Sequence, residues 1–314
     1  MEEIIAPIDR DVLKAELKKC RLVRPTNKAG NFVYDVSAHE APNIMQEIGR
    51  LRELSFRTSG GGTGKSVDID EFDIMEKPYR QLIVWDPDNE EIVGGYRYLH
   101  GKDTVLNQKK QPNIVSSHMF HFSEEFINSY MSITTELGRA FIQPAYQCRE
   151  AGIKALFALD NLWDGLGALI LDNDIKYLIG KVTIYREYNE TVRELLYAYL
   201  DRYFPNKQNL VNIILPFPQK EEITLKAEEL FANLNLHEAY KVLQRVAREL
   251  GECIPALFNA YIGLTDSMQT FGTGVNDEFG DVLETGIMIK TEDILEEKQD
   301  RYIGSYKSYL ETLK

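Results

Sequence analysis

Hydrophobic and polar positions along the first half of the chain predict a sheet interrupted by one long helix. The segment 31–37 (NFVYDVS) alternates apolar and polar residues, which is typical of a strand. From Asn43 the apolar residues recur at helical spacing, so we expect a helix that ends near Arg57. Further strands are predicted at 81–85, 92–99 and 132–142.

The second half predicts a long helix at 148–171, a strand at 177–184, a helix at 188–204, two helices between 221 and 250, and a hairpin within 271–289. The order of elements indicates a mixed α/β (α+β) sheet and not a regularly alternating one. We expect a lead-in at 1–30 that is helical and then turns at 25–30. One domain should cover 31–295 with a helical insertion at about 205–250, and a helical tail should cover 296–314.

Composition narrows the class of protein. The chain has 314 residues and a net charge of −13, and such an acidic surface disfavours nucleic acid. Its three cysteines form no CxxC pair or disulfide framework. The N-terminus lacks the pattern of a signal peptide, and no run of about 18 apolar residues occurs. We therefore expect a globular cytoplasmic protein.

A glycine-rich segment, Ser59–Ser66 (SGGGTGKS), comes close to a phosphate-binding loop. A Walker A loop needs glycine where Ser59 stands, and it should follow a strand and open a helix. Here it follows a predicted helix, and the next residues (VDIDEFD) do not resemble the start of a helix with an apolar face. We interpret the segment as a flexible loop over a ligand site.

Charged residues within predicted strands, together with one acidic cluster, mark the candidate chemistry. The cluster is 68–73 (DIDEFD), and the strand residues are Arg97, Glu136 and Arg139. A bulge at Gly138 would bring Glu136 and Arg139 to one face of their strand. The charges either form structural ion pairs or line a cleft that grips a zwitterion. In a cleft, Arg97 or Arg139 would bind a carboxylate, and Glu136 or an aspartate would take a proton.

Other chemistries find less support. The corner at 147–155 leads from a strand into a helix whose free N–H groups suit a phosphate, and Arg149 and Lys154 add positive charge there. His118 and His121 could ligate a metal ion, but the sequence suggests no third ligand, so we expect no metal site. The chain has no GxSxG elbow and no convincingly placed nucleophilic cysteine.

These residues, in this order, resemble a known family. The segments FR, DEFD, GGYRYL and ELGRAFIQPAYQ are similar to the hemolysin-like or ornithine-lipid-type N-acyltransferases of the GNAT superfamily, and more distantly to acyl-homoserine-lactone synthases. The stretch 156–185 looks like the Bacteroidetes branch, which includes glycine N-acyltransferases. The segments 254–257 (IPAL) and 277–280 (DEFG) resemble the closing strands of the family.

The resemblance implies a GNAT-type fold with a helical insertion, and an enzyme that moves a long-chain acyl group from a thioester to the amine of an amino acid such as glycine or ornithine. The product would be an N-acyl amino acid, or lyso-aminolipid. The implied catalytic residues are Glu136 and Arg139, the implied substrate-binding residues are Arg57, Asp70, Asp73 and Arg97, and the implied donor-binding residues are Arg149, Gly152 and Lys154.

The donor motif departs from the family. The GNAT loop reads [QR]-x-x-G-x-[GA], whereas residues 149–154 read R-x-x-G-x-K. Acyl carrier protein, whose pantetheine arm lacks the adenine nucleotide, is therefore preferred over acyl-CoA, and no cofactor is expected to stay bound. Peripheral contact with the inner membrane and a separate O-acyltransferase partner are left open. The alternatives are an enzyme like acyl-homoserine-lactone synthase and a non-catalytic protein that binds acyl carrier protein or lipid.

Overall fold

The computed structural model describes residues 1–148 and 152–314 and has a mixed α/β fold. The described strands are β1 (Arg21–Pro25), β2 (Phe32–Val36), β3 (Arg80–Asp86), β4 (Glu91–His100), β5 (Phe120–Phe122), β6 (Thr134–Ile142), β7 (Tyr177–Ile184), β8 (Val211–Ile213), β9 (Gln269–Asn276) and β10 (Val282–Lys290). The described α-helices are α1 (Arg10–Leu17), α2 (Pro42–Thr58), α3 (Glu71–Ile74), α4 (Gly152–Asn173), α5 (Glu190–Tyr203), α6 (Glu221–Leu230), α7 (Leu236–Glu249), α8 (Ala256–Ile262), α9 (Glu296–Lys298) and α10 (Ser305–Thr312).

The chain forms two compact units. The first unit consists of Met1–Thr104, Ile133–Lys176 and Glu296–Lys314, and the second consists of Val105–Ser132 and Tyr177–Leu295. The domain boundaries expected from the sequence stay predictions. Residues 205–250 do contain α6 and α7, and the tail from residue 296 onward is mainly helical.

In the first unit, strands β1, β2, β3, β4 and β6 pair in that order, and every pair is antiparallel. Helix α4 packs on β1 to β4, and it approaches closely because it carries a glycine at the contact: a Cβ on Gly165 would lie 2.5 Å from Cδ2 of Leu82. Helix α2 packs on β4 and β6. Gln81 on β3 pairs with Arg97 on β4, which pairs with Gly138 on β6, so these three residues stand in one row across the sheet.

In the second unit, β10 pairs with β7 on one side and with β9 on the other, both antiparallel, and β5 pairs with β8. Helix α5 packs against α6 and α7. Helix α7 begins after α6 because Asn235 caps it in a capping box with Glu238. The predicted terminal hairpin is β9 and β10.

Three expectations for local structure are wrong. The segment 254–257 leads into helix α8, and Asp277–Phe279 is a 3₁₀ turn between β9 and β10, so neither is a strand. The lead-in contains a strand, β1. The sequence of β1 does not alternate between apolar and polar residues for two reasons. The register of β1 shifts between Leu22 and Arg24, and Arg24 is a buried charged residue that donates hydrogen bonds to Asn27 and to the carbonyl of Tyr302.

Candidate active site

Helix α3 fixes two carboxylates at the start of the candidate site. Oδ1 of Asp70 accepts hydrogen bonds from the backbone N–H groups of Phe72 and Asp73, at 3.0 and 3.3 Å. Oδ2 of Asp73 accepts one from the N–H of Asp70, at 3.2 Å, which completes a capping box. The buried side chain of this one-turn helix is Asp73, so α3 has no apolar face, which agrees with the sequence, and the capping box is enough to start it.

Arg97 binds both carboxylates from the interior of β4. Its Nη1 donates to Oδ1 of Asp70 (2.7 Å) and Oδ2 of Asp73 (2.9 Å), and its Nη2 donates to Oδ2 of Asp70 (2.8 Å). The side chain is 1% exposed. Burial alone would lower the pKa of Arg97, but Asp73 and Asp70 raise it well above its usual value. This guanidinium is a fixed positive charge beneath the site.

Arg52 is a second buried arginine that the sequence analysis did not single out. It lies on α2, and its Nη1 donates to both oxygens of Asp73, each at 3.2 Å, while its Nη2 donates to Gln81. Burial alone would raise the pKa of Asp73, but Arg97 and Arg52 more than offset it, so this pKa lies well below its usual range. Asp73 is therefore a permanent carboxylate between two arginines.

Strand β6 supplies Glu136 and Arg139 through a bulge. The register passes from Arg97↔Gly138 to Gly95↔Phe141, so two residues of β6 oppose one residue of β4, and Arg139 has a φ of +52°. The strand therefore has a bulge next to Gly138, which is one of the two arrangements that the sequence left open. Arg139 reaches the acidic cluster, with Nε 2.8 Å from Oδ2 of Asp68 and Nη2 3.8 Å from Oδ2 of Asp70.

Glu136 is buried, and its Oε2 accepts a hydrogen bond from the hydroxyl of Tyr79. The ring of Tyr79 lies under the guanidinium of Arg97, 5.1 Å from its centroid to Cζ. The structure thus brings Asp70, Asp73, Arg97, Glu136 and Arg139 into one cluster, together with residues that the sequence analysis did not propose as site residues. Those additional residues are Arg52, Asp68, Tyr79 and Gln81.

Arg57, the helix arginine named by the resemblance, lies in a different set of contacts. It forms an i, i+4 ion pair with Glu53, and it donates to the carbonyls of Glu2 and Lys65. The buried carboxylate of Glu53 also accepts hydrogen bonds from the N–H groups of Thr63 and Gly64, at 3.0 and 2.8 Å. Arg57 and Glu53 therefore hold the glycine loop, and Arg52 is the arginine of α2 that contacts the candidate site.

The donor-binding residues are described in part. Arg149 lies outside the described residues. Gly152 begins α4 with a φ of +58°. The ammonium of Lys154 lies 2.6 Å from Oδ1 of Asp86 and 3.0 Å from Oδ2 of Asp88, and these contacts raise its pKa against the effect of burial. A helix start and a lysine are present there, but two carboxylates accompany the lysine.

Two further properties bear on the class of protein. In residues 1–148 and 152–314, no group of three or more His, Cys, Asp or Glu side chains could hold a metal ion. No helix in the part of the chain that the structure describes is both long and apolar enough to cross a membrane.

Comparison with known proteins decides the family. Residues 51–156, which include α2, the acidic cluster, β4 and β6, match the acetyltransferase (GNAT) domain. A protein of Phocaeicola vulgatus named glycine N(alpha)-acyltransferase is 47% identical over 316 residues, covering 100% of this chain and 97% of the relative. A protein of the same name from Bacteroides thetaiotaomicron is 49% identical over 320 residues, covering 100% and 94%. The chain belongs to this family of GNAT N-acyltransferases. The expected mixed α/β fold and the expected class of enzyme are confirmed, whereas the hemolysin-like subfamily stays a prediction.

Solved structures of lower similarity complete the comparison. The CoA-dependent acyl-homoserine lactone synthase BjaI, solved with SAM and isopentyl-CoA, is 11% identical, and the match covers 88% of this chain and 90% of that chain with a TM-score of 0.40. The CoA-dependent acyl-homoserine lactone synthase MesI is 12% identical, with coverage of 87% and 95% and a TM-score of 0.35.

Proposed function

We propose that this GNAT N-acyltransferase moves a long-chain acyl group from a thioester to the amine of glycine and releases an N-acyl glycine. The observation that carries the proposal is the identity of 47% and 49% to two glycine N(alpha)-acyltransferases along the whole chain. Because the match covers the whole chain, it also includes the residues on both sides of the GNAT domain match at 51–156. Glycine is therefore a better first acceptor than ornithine or S-adenosylmethionine.

In this proposal the glycine zwitterion binds at the more exposed edge of the charge cluster. The side chains of Asp70 and Arg139 are 26% and 13% exposed, whereas those of Arg52, Arg97 and Asp73 are 1% exposed or less. A ligand can reach the first pair and cannot reach the others without displacing protein. Arg139 would bind the glycine carboxylate through its guanidinium fork, and Asp70 would lie near the ammonium. Arg97 and Asp73 would hold Asp70 in place.

Glu136 would act as the general base. It would take one proton from the glycine ammonium, directly or through a water molecule, and the neutral amine would then attack the thioester carbonyl. The new C–N bond forms and the C–S bond breaks. The thiolate takes the proton that Glu136 has held and leaves as a thiol, and the second proton that the nitrogen loses passes to solvent water. The bulge at Arg139 takes backbone groups of β6 out of the regular ladder with β4, and such N–H groups could stabilise the oxyanion.

Acyl carrier protein is the proposed donor. The sequence departs from the coenzyme A loop at Lys154, and the ammonium of Lys154 is compensated by Asp86 and Asp88. Two carboxylates around one ammonium leave a negative balance, which disfavours the phosphates of the adenine nucleotide. The product would be a lyso-aminolipid, made by a cytoplasmic protein in peripheral contact with the membrane, and a separate O-acyltransferase would use it next.

The test is an acyl-transfer assay with the purified full chain. Palmitoyl-acyl carrier protein and palmitoyl-CoA are each offered with glycine, ornithine, serine or S-adenosylmethionine, and products are identified by mass spectrometry. We expect palmitoyl-glycine, formed faster from the carrier protein. Glu136→Gln should lower the rate by about 10²- to 10⁴-fold, because that is the usual contribution of a general base.

The control variant is Glu71→Gln, which changes an exposed carboxylate in the first turn of α3. It should leave the rate within about twofold of the parent protein. Acylation of ornithine instead of glycine, or a homoserine lactone made from S-adenosylmethionine, would overturn the assignment of the acceptor. Full activity of Glu136→Gln would overturn the role of Glu136.

A further inference from the structure

Tyr79 joins the charge cluster to Glu136. Its side chain is fully buried, its hydroxyl donates to Oε2 of Glu136, and its ring lies against the guanidinium of Arg97. A buried phenol needs a hydrogen-bond partner, and here the partner is the carboxylate that the proposed reaction uses as a base. No motif in the sequence marks this tyrosine, because it lies in the connection between α3 and β3.

The backbone holds Tyr79 as firmly as its side chain does. The N–H of Tyr79 donates to the carbonyl of Phe72 at 2.9 Å, and its carbonyl accepts from Nε2 of Gln81 at 3.2 Å. The ring also meets the edge of the Phe72 ring, with 5.9 Å between centroids. The tyrosine thus has little freedom to follow a moving carboxylate, and it fixes the carboxylate instead.

We propose that Tyr79 is a positioning residue that fixes the rotation of the Glu136 carboxylate for proton transfer from the acceptor ammonium. The inference rests on the proposed role of Glu136 as the base. The terminal nitrogens of Arg97 and Arg52 donate to other acceptors, namely the two aspartates of α3 and Gln81. Tyr79 offers a neutral donor, which restrains a carboxylate while stabilising its charge less than a guanidinium would.

The consequence for pH dependence has a definite sign. A hydrogen bond to the charged form of an acid favours that form, and Tyr79→Phe removes one such bond. The acid limb of the pH profile of kcat/KM should then move to higher pH. Other ionisable groups of the same cluster, which the test leaves unchanged, come from α2, from the segment before β3, from β4 and from β6. They are Arg52, Asp68, Asp70, Asp73, Arg97 and Arg139.

The experiment compares Tyr79→Phe with the parent protein in the acyl-transfer assay across pH, using whichever amine the parent protein acylates. The variant keeps the ring against Arg97 and loses only the hydroxyl. We expect the acid limb to rise by about one pH unit, a typical effect of one hydrogen bond to a carboxylate. We also expect kcat to fall several-fold while the KM for the amine stays within about twofold.

The matched control is Tyr98→Phe. Tyr98 is also buried in the first unit, and its hydroxyl donates to Oδ1 of Asp35 at 3.0 Å, away from Glu136. Tyr98→Phe should lower the free energy of unfolding by about as much as Tyr79→Phe does, and it should leave the acid limb of the pH profile where it is in the parent protein. If Tyr79→Phe does not fold, a fluorinated tyrosine at residue 79 replaces it. This stronger donor keeps the ring and should move the limb to lower pH.

The outcomes separate this proposal from the proposed function. An active parent protein whose acid limb does not move in Tyr79→Phe overturns the role of Tyr79 and leaves acyl transfer intact. If the parent protein acylates an amine other than glycine, the assignment of glycine as the acceptor is overturned, and the acid limb of the pH profile still tests the role of Tyr79. A folded parent protein that acylates no amine overturns both proposals.

Discussion

Two buried carboxylates of the first unit, Asp73 and Asp164, meet different partners and therefore have opposite electrostatic properties. Asp73 lies between two arginines, which hold its pKa below its usual range. Asp164 on α4 accepts hydrogen bonds from the backbone N–H of Asn27 (2.8 Å) and from its side-chain amide. Burial raises the pKa of Asp164 to about 6, because amide donors and the more distant charge of Arg24 offset the desolvation only in part. Charge on Asp73 supports the fold, whereas charge on Asp164 costs stability.

The pH dependence of stability should reveal Asp164. The pKa of Asp164 is about 3.9 in the unfolded chain and about 6 in the folded protein. Between these two pH values the folded protein binds more protons at Asp164 than the unfolded chain does, so the contribution of Asp164 to the free energy of unfolding falls as pH rises. An asparagine at residue 164 would not titrate in this range. The free energy of unfolding of Asp164→Asn, measured with urea, should therefore rise by about 1 kcal/mol relative to that of the parent protein when the pH is raised from 5 to 7.

The control for this prediction is Asp174→Asn, at a carboxylate that is 85% exposed. It should differ from the parent protein by less than about 0.5 kcal/mol at either pH. If the difference in the free energy of unfolding between Asp164→Asn and the parent protein is the same at pH 5 and pH 7, the charge on Asp164 does not cost stability.

At the scale of elements, strands and helices with a clear period could be predicted from the sequence, and the partners of buried charges could not. Strand β7 has the predicted bounds, and α2 extends one residue beyond each predicted end. Arg52 did leave a signal, since it stands four residues after Ile48 on the apolar face of α2. Arg52 could be identified as a site residue only by knowing that it contacts Asp73, which is 21 residues away in the sequence. Short elements such as α3 and β1 depend on caps and register shifts that no period reveals.

The end of α2 and the glycine loop form one unit of local stability, which Glu53 controls. Glu53→Gln removes the ion pair with Arg57 and places a donor where Thr63, Gly64 and Arg57 also donate. The burial of Glu53 makes that mismatch costly. Under native conditions trypsin should cut after Lys65 at least about tenfold faster, since one charged hydrogen bond contributes about 1.5 kcal/mol or more.

Mass spectrometry of the first cleavage product distinguishes a loosened loop from a loosened protein. The exposed carboxylate of Glu71 provides the control, and Glu71→Gln should be cut at Lys65 at the parent rate. If Glu53→Gln is cut no faster than the parent protein, or first at a distant site, Glu53 does not hold the loop.

At the scale of the whole molecule, the first unit is assembled from three separate stretches of the chain, and the last one returns to α4. The carbonyl of Tyr302 accepts a hydrogen bond from Arg24, and the carbonyl of Arg301 accepts one from Asn27. The hydroxyl of Tyr302 donates to Oδ1 of Asp160 at 2.7 Å. The tail thereby joins α4 to the turn after β1. Contacts between residues 274 to 278 positions apart leave no trace in a sequence pattern, so the helical tail was predictable and its place was not.

The tail lies so close to α4 that a single methyl group should disturb it. A Cβ on Gly167 would lie 2.6 Å from the backbone carbon and oxygen of Tyr302, and backbone cannot rotate away. Gly167→Ala should therefore lower the free energy of unfolding by about 1 to 2 kcal/mol, because overpacking costs more than the roughly 1 kcal/mol that alanine contributes to a helix. Gly304→Ala is the matched control, since the atoms nearest to its Cβ would lie 3.8 Å away, at ordinary van der Waals distance, and the residue is helical. It should leave stability unchanged or raise it by up to about 1 kcal/mol. Equal stability of the two variants would mean that the tail does not pack on α4 at Gly167, and faster tryptic cleavage after Arg301 in Gly167→Ala alone would locate the disturbance in the tail.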